Sequence, residues 1–201
     1  MNERQERTPV LTFPAKIVYA KNPTHEQFMR SFDGKLLGRY HIAFLVVIEF
    51  AGGPELRRSI EDALGHPAYL PNEWFSARDL IVMFDLAIRA GVSAERIGTL
   101  VMPTFKRANP KVFEGTTIRD GFERFDQGYR DDTTYGGVSP GTLVEPTRAV
   151  VHRKGSPLPC DYFAGVVKGL LGVFSIQGTC REVECQWTGA RACRFEATWE
   201  G

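Results

Sequence analysis

The sequence predicts an α+β fold: N-terminal helices followed by an antiparallel sheet packed against a central, glycine-rich helix. Three observations carry that reading. From Pro54 to Tyr129, apolar residues recur at helical spacing behind capping residues. From Gly141 the texture changes to strand-like runs, among them Thr179–Trp187 and Ala192–Trp199. Between them, Cys160–Phe174 gathers Phe163, Val166, Val167, Leu170, Leu171 and Phe174 on one side of a helix. Helices first and strands last argue for α+β. The chain divides into residues 1–140, mostly helical, and 141–201, a helix plus a β-hairpin bearing the cysteines, the two forming one integrated domain.

At 201 residues the chain is long enough to build a core without its four cysteines acting as staples. Hydrophobic residues at 43% and charged residues at 24% are those of an ordinary soluble domain. A net charge of +1 gives no support for a nucleic-acid or anionic-membrane partner. The start, Met1–Arg7, is charged and lacks the apolar centre of a signal peptide. The strongest apolar run, Ile42–Ile48, is too short to span a bilayer. A cytoplasmic location follows, where clustered cysteines more often bind metal than form disulfides.

Residues 1–14 read as a frayed start, followed by a strand over Lys16–Tyr19. Thr24 is read as the cap of a short helix carrying Phe28 and Phe32, with Asn22–Pro23 as its entry signal. The stretch Lys35–Phe50 is too evenly apolar for periodicity to separate strand from helix; it is expected as a buried element ending at Gly52–Gly53. Pro54 suits a first helical position, and Gly65 a helix stop. Ser76 with Asp79 reads as a capping box, Ser93 as a cap, and Thr117 with Asp120 as a second box. Pro103 is expected to bend or end its helix. Asp131–Asp132 and Gly136–Gly137 break the chain before Thr142–Pro146 and Arg148–Arg153, which read as one or two strands.

In the central helix Gly165, Gly169 and Gly172 fall opposite the apolar stripe. Each costs about 1 kcal/mol relative to alanine, so close approach of a second backbone is expected there, from this chain or from a twin helix in a dimer.

Cys185 and Cys193 lie equally far from Gly189, and a hairpin turning there sets them opposite each other on one face. Opposed positions place Cβ atoms about 4.5–5.5 Å apart, and Cys160, at the start of the packed helix, can reach the same point. A fourth ligand has to come from Cys180, Glu182 or Glu184, each of which needs a bulge or bend to join them. Sulfur-rich tetrahedral coordination favours a structural zinc.

The run Cys160…Arg181-Glu182-Val183-Glu184-Cys185-Gln186-Trp187-Thr188-Gly189…Cys193-Arg194-Phe195 resembles the V4R (4-vinyl reductase) domain. The likeness is to the sensor domains of phenol- and xylene-responsive transcription activators, within the ligand-binding fold of nitric-oxide signalling and Golgi transport. Gly165–Leu171 is similar to the related vesicle-tethering subunits. The resemblance implies a dimer and a zinc ion held by Cys160, Glu182, Cys185 and Cys193, with Cys180 as an alternative ligand.

The four histidines form no ligand pair and read as surface or structural residues; His41, beside the apolar run, is the one to examine as a heme or polar-pocket ligand. Phosphate-loop, dinucleotide and nucleophile-elbow motifs are missing from the sequence. Aromatics crowd the helical half, and Trp74 and Tyr129 are the candidate ligand-binding residues because their N–H and O–H can orient a small hydrophobic or aromatic molecule. The expected function is a small-molecule sensor acting through a protein partner as a homodimer, without nucleic acid or membrane. The alternatives are a ligand-free assembly protein and, third, a vinyl-reductase-like enzyme.

Overall fold

A computed structural model describes residues 13–135 and 142–200. Among the described residues, seven α-helices and six strands form, with most helices before the C-terminal sheet as expected and two short strands set among those helices. The segment expected as a strand at Lys16–Tyr19 forms neither helix nor strand. It is held irregularly instead: Ile17 is buried, and the Val18 N–H donates to Asp85 Oδ1 at 2.7 Å. The first helix, α1 (Pro23–Arg30), starts one residue before the expected cap. Asn22 caps it, its Oδ1 accepting from the His25 N–H at 2.8 Å, and Pro23 supplies the preset φ of a first helical residue.

The evenly apolar run resolves into a short strand, β1 (Lys35–Leu37), and a buried helix, α2 (Gly38–Gly52). Helix α3 (Pro54–Leu64) stops at Gly65, whose φ of 73° is a left-handed cap that glycine adopts without strain. A second short strand, β2 (Trp74–Ser76), pairs antiparallel with β1. This pairing defeats the expected box before α4 (Arg78–Arg89). Ser76 is committed to β2 opposite Lys35, Ala77 becomes the cap, and Asp79 instead accepts from Tyr69 Oη at 2.9 Å.

Helix α5 (Ala94–Ala108) is capped by Ser93 and continues through Pro103 rather than ending there. Packing beyond the proline outweighs the lost backbone bond: Lys106 Nζ donates to the Val173 carbonyl at 2.7 Å. Helix α6 (Ile118–Asp131) has the full Thr117–Asp120 box, with the Thr117 N–H donating to Asp120 Oδ2 at 2.7 Å and the Asp120 N–H to Thr117 Oγ1 at 3.3 Å. The expected break at Gly136–Gly137 lies outside the described residues.

The C-terminal sheet contains β3 (Thr142–Val144), β4 (Arg148–Arg153), β5 (Gly178–Glu184) and β6 (Cys193–Trp199) in the order β3-β4-β6-β5, all neighbours antiparallel. Alternate residues of β6, from Cys193 through Phe195 and Ala197 to Trp199, are buried. Against that face lies α7 (Cys160–Val173), nearly all of whose residues are buried. Its other face meets α5, and here the glycines find their partner. A Cβ on Gly165 would lie 2.2 Å from the Glu95 carbonyl oxygen, and one on Gly169 2.6 Å from that of Thr99. Across the same contact, a Cβ on Gly98 would lie 2.1 Å from the Tyr162 carbonyl oxygen. The second backbone is therefore α5 of the same chain, and Gly172 alone of the three faces open space.

One charged pair is sealed in the core. Arg153, 1% exposed at the end of β4, donates through Nη1 to Asp126 Oδ1 of α6 at 2.8 Å. Its guanidinium also lies 4.5 Å from the centre of the Phe125 ring.

Candidate functional site

The cysteine-bearing end of the sheet is shaped by a β-bulge. Pairing along β5 and β6 runs Cys180 with Ala197 and Glu182 with Phe195, then jumps to Glu184 with Arg194. The extra residue, Val183, resets the alternation, so Glu182 and Cys185 both face α7. Cys193 opens β6 on that face, and Cys160 begins α7 directly over it.

The outcome is a compact cluster. Cys160 Sγ is 3.7 Å from Cys193 Sγ and 3.9 Å from Cys185 Sγ, and the last two are 3.9 Å apart. With a carboxylate oxygen of Glu182, one ligand atom from each of the four residues lies within 4.8 Å of every other. The three thiols are buried and Glu182 is partly so. Cys180, the alternative fourth ligand, also faces inward but two residues before Glu182 on β5, away from the other thiols. Burial pushes its thiol up to about 12, with Lys168 and Glu95 as its charged neighbours.

The four acidic side chains act on one another. Hydrogen bonding from Cys160 lowers the pKa of the Cys193 thiol and correspondingly raises that of Cys160, while burial raises Cys185. Burial acts to raise Glu182, but the neighbouring Cys160 and Cys185 thiols and the Lys21 ammonium outweigh it and hold the carboxyl below its usual value. Such a group presents soft sulfur and one hard oxygen to a cation.

A residue that sequence reasoning missed completes the surroundings. Lys21 Nζ donates to Glu182 Oε2 at 2.5 Å and to Cys185 Sγ at 3.3 Å. The next residues clip α1 onto the cysteine loop. Asn22 Nδ2 donates to the Trp187 carbonyl, and the His25 ring stacks on Trp187 with centroids 4.2 Å apart and planes 9° off parallel. The Asn22–Pro23 pair marked a helix entry in the sequence, but nothing local signals a contact across 161 residues of chain.

His25 gives this clip a pH dependence. Burial first, then the Lys21 charge, lowers its pKa from 6.5 to about 4, so the folded state prefers the neutral ring. The unfolded chain takes up a proton at higher pH than the folded one. Stability is therefore complete above about 6.5 and declines as pH falls towards 4, by about 2–3 kcal/mol. Urea denaturation across that range should show the loss, and His25→Phe should flatten the profile.

Trp74 and Tyr129, the expected ligand-binding pair, lie on different elements. Trp74 sits on β2, 45% exposed, and Tyr129 on α6, its side chain outside the described residues. An open groove of about 380 Å³ runs between residues 14–16 and α4, beside Val82, Asp85 and Arg89, with no aromatic residue in its lining.

No family model matches the sequence, and no curated protein matches it. Solved structures do. An oxygen-binding H-NOX domain related to soluble guanylate cyclases, in its oxygen complex, is 16% identical with a TM-score of 0.64, covering 82% of this chain and 95% of that one. An H-NOX protein from S. oneidensis in the Fe(II)NO state is 12% identical with a TM-score of 0.66, covering 83% and 100%. A third structure, described for heme redox potential modulated through porphyrin distortion, is 14% identical with a TM-score of 0.63, covering 82% and 95%.

The fold is that of H-NOX domains. This corrects two expectations. The resemblance to the V4R domain is overturned: the solved structures that share the fold are H-NOX domains, and the match spans the N-terminal helices as well as the sheet. Zinc, inferred from spacing and from that likeness, is likewise withdrawn as the cofactor: the structures sharing the fold are described with oxygen, heme and Fe(II)NO.

Heme in turn does not fit the described residues. An axial histidine must offer a ring nitrogen to a flat apolar slot. His41 is fully buried but engages the Ser76 carbonyl through Nε2 at 2.9 Å and stacks on Tyr69 at 4.4 Å. His25 is covered by Trp187. Between α2, α4 and α7 the interior is occupied by Phe44, Phe84 and Tyr162, with ring centroids 5.2–5.3 Å apart. His25 Nε2 and His41 Nδ1 have no hydrogen-bond partner among the described residues, yet each ring is stacked against an aromatic side chain, Trp187 and Tyr69 respectively. Among the described residues, no helix is long and apolar enough to cross a membrane.

Proposed function

We propose that this chain is a sensing module, a binder rather than an enzyme, whose responsive centre is the Cys160–Glu182–Cys185–Cys193 group holding a divalent transition-metal cation. The observation that carries the reading is the convergence of three thiols and a carboxylate, from three separate segments, within 4.8 Å. These groups ligate metals as anions, and four anions so close repel one another unless a cation lies among them. A filled four-ligand site of this kind leaves no open position for catalysis. The likeness to gas-binding H-NOX domains supports a sensory role on this fold, although a fold does not fix a function. In this reading the occupied cluster steadies α1, and a protein partner, or the second copy in a homodimer, reads that change. The small hydrophobic molecule expected to act with Trp74 and Tyr129 belongs to the same proposal.

Native mass spectrometry of the purified chain tests it. The expected spectrum shows one metal ion per chain that is lost in Cys193→Ser, and it reports the oligomer and any retained organic mass together. A chain mass equal to that of the sequence alone contradicts the reading and favours a ligand-free assembly protein.

A further inference from the structure

Three observations at the edge of the ligand set bear on Lys21. Its ammonium binds one carboxylate oxygen of Glu182, Oε2, and Cys185 Sγ. The other oxygen, Glu182 Oε1, is buried and has no hydrogen-bond partner among the described residues. The Lys21 backbone N–H donates to His25 Nδ1 at 3.2 Å, inside the α1 cap.

We infer that Lys21 is a positioning residue that makes Glu182 a one-oxygen ligand through Oε1 and conveys the charge of the occupied cluster to α1. The inference rests on the cation-binding reading. Outer partners of a ligating carboxylate fix which oxygen faces the metal and in what orientation. With Oε2 held by Lys21, Oε1 is left to the cluster. Three thiolates and a carboxylate around a divalent cation carry two net negative charges in a half-buried place, and the ammonium offsets one of them. That is more negative charge than one carboxylate among thiols presents. Occupancy therefore tightens the Lys21 contact, and through the adjoining Asn22 and His25 it tightens the seating of α1 on Trp187.

Cobalt(II) titration of the full chain, followed by thiolate-to-cobalt absorption, tests this when paired with hydrogen exchange over α1. Lys21→Met should weaken cobalt binding by about 10–100-fold, and Lys21→Arg should restore most of it. At saturating cobalt, exchange in α1 should slow in the unaltered chain and stay unchanged in Lys21→Met, a response that a merely structural lysine would not control. Lys21→Gln serves the same comparison if the methionine variant folds poorly. Unchanged affinity in Lys21→Met, or an α1 response independent of Lys21, overturns the inference while leaving cation binding intact. Failure of the unaltered chain to bind cobalt at all contradicts the cation-binding reading itself.

Discussion

Replacing Gly165 by alanine should destabilise the protein by about 3 kcal/mol or more, because the added methyl meets backbone rather than a movable side chain. The new Cβ would lie 2.2 Å from the Glu95 carbonyl oxygen and 2.9 Å from the Thr99 nitrogen. Overpacking by one methyl usually costs about 1–3 kcal/mol, and here relief requires α5 and α7 to separate along their whole contact. For a chain of this size the midpoint of thermal unfolding should fall by about 6–12 °C. Gly172→Ala supplies the contrast. Nothing lies within 4 Å of its added Cβ, so the helix gains up to about 1 kcal/mol of propensity, and the midpoint should hold or rise. Equal losses at the two positions would show that the helices are not packed backbone to backbone.

Arg153→Met should cost about 3–5 kcal/mol, the usual penalty for removing one partner of a buried ion pair. Asp126, 5% exposed, would be left in the core without the guanidinium that donates to it at 2.8 Å. The double variant Arg153→Met with Asp126→Leu should recover much of the loss, since it removes the stranded carboxyl as well. Chemical denaturation of the two single variants and the double variant measures the coupling. Additive losses would place the energetic weight of Arg153 elsewhere than on Asp126.

Much of the architecture was legible because its signals are local. The Thr117–Asp120 box, the Ser93 cap, the left-handed Gly65 stop and the glycines of α7 each state a backbone requirement within a few residues. Errors arose where a distant partner decides. Ser76 with Asp79 has the sequence of a box, but pairing of β1 with β2 takes Ser76, and Tyr69 takes Asp79. Lys16–Tyr19 reads as a strand, yet no edge receives it among the described residues, and Asp85 holds it instead.

The cysteine cluster shows the same division. Symmetry about Gly189 brought Cys185 and Cys193 together on paper, and the need for a bulge was evident from alternation. Only the pairing of Glu184 with Arg194 shows where the bulge falls, and hence that Glu182 rather than Cys180 stands beside the thiols. Lys21 was invisible because its partners lie on the far side of the chain. The likeness to H-NOX domains was equally hidden: at 12–16% identity the shared fold is kept by spacing and packing, not by residues a reader can match.

The most direct measurement on the cation centre is the alkylation of each cysteine, read by peptide mass, with and without one equivalent of cobalt(II). Protection of Cys160, Cys185 and Cys193 together, with Cys180 reacting at the same rate in both samples, is the expected result. Cobalt that leaves all four rates unchanged, or that protects Cys180 along with the other three, would contradict a centre built from those three thiols and Glu182.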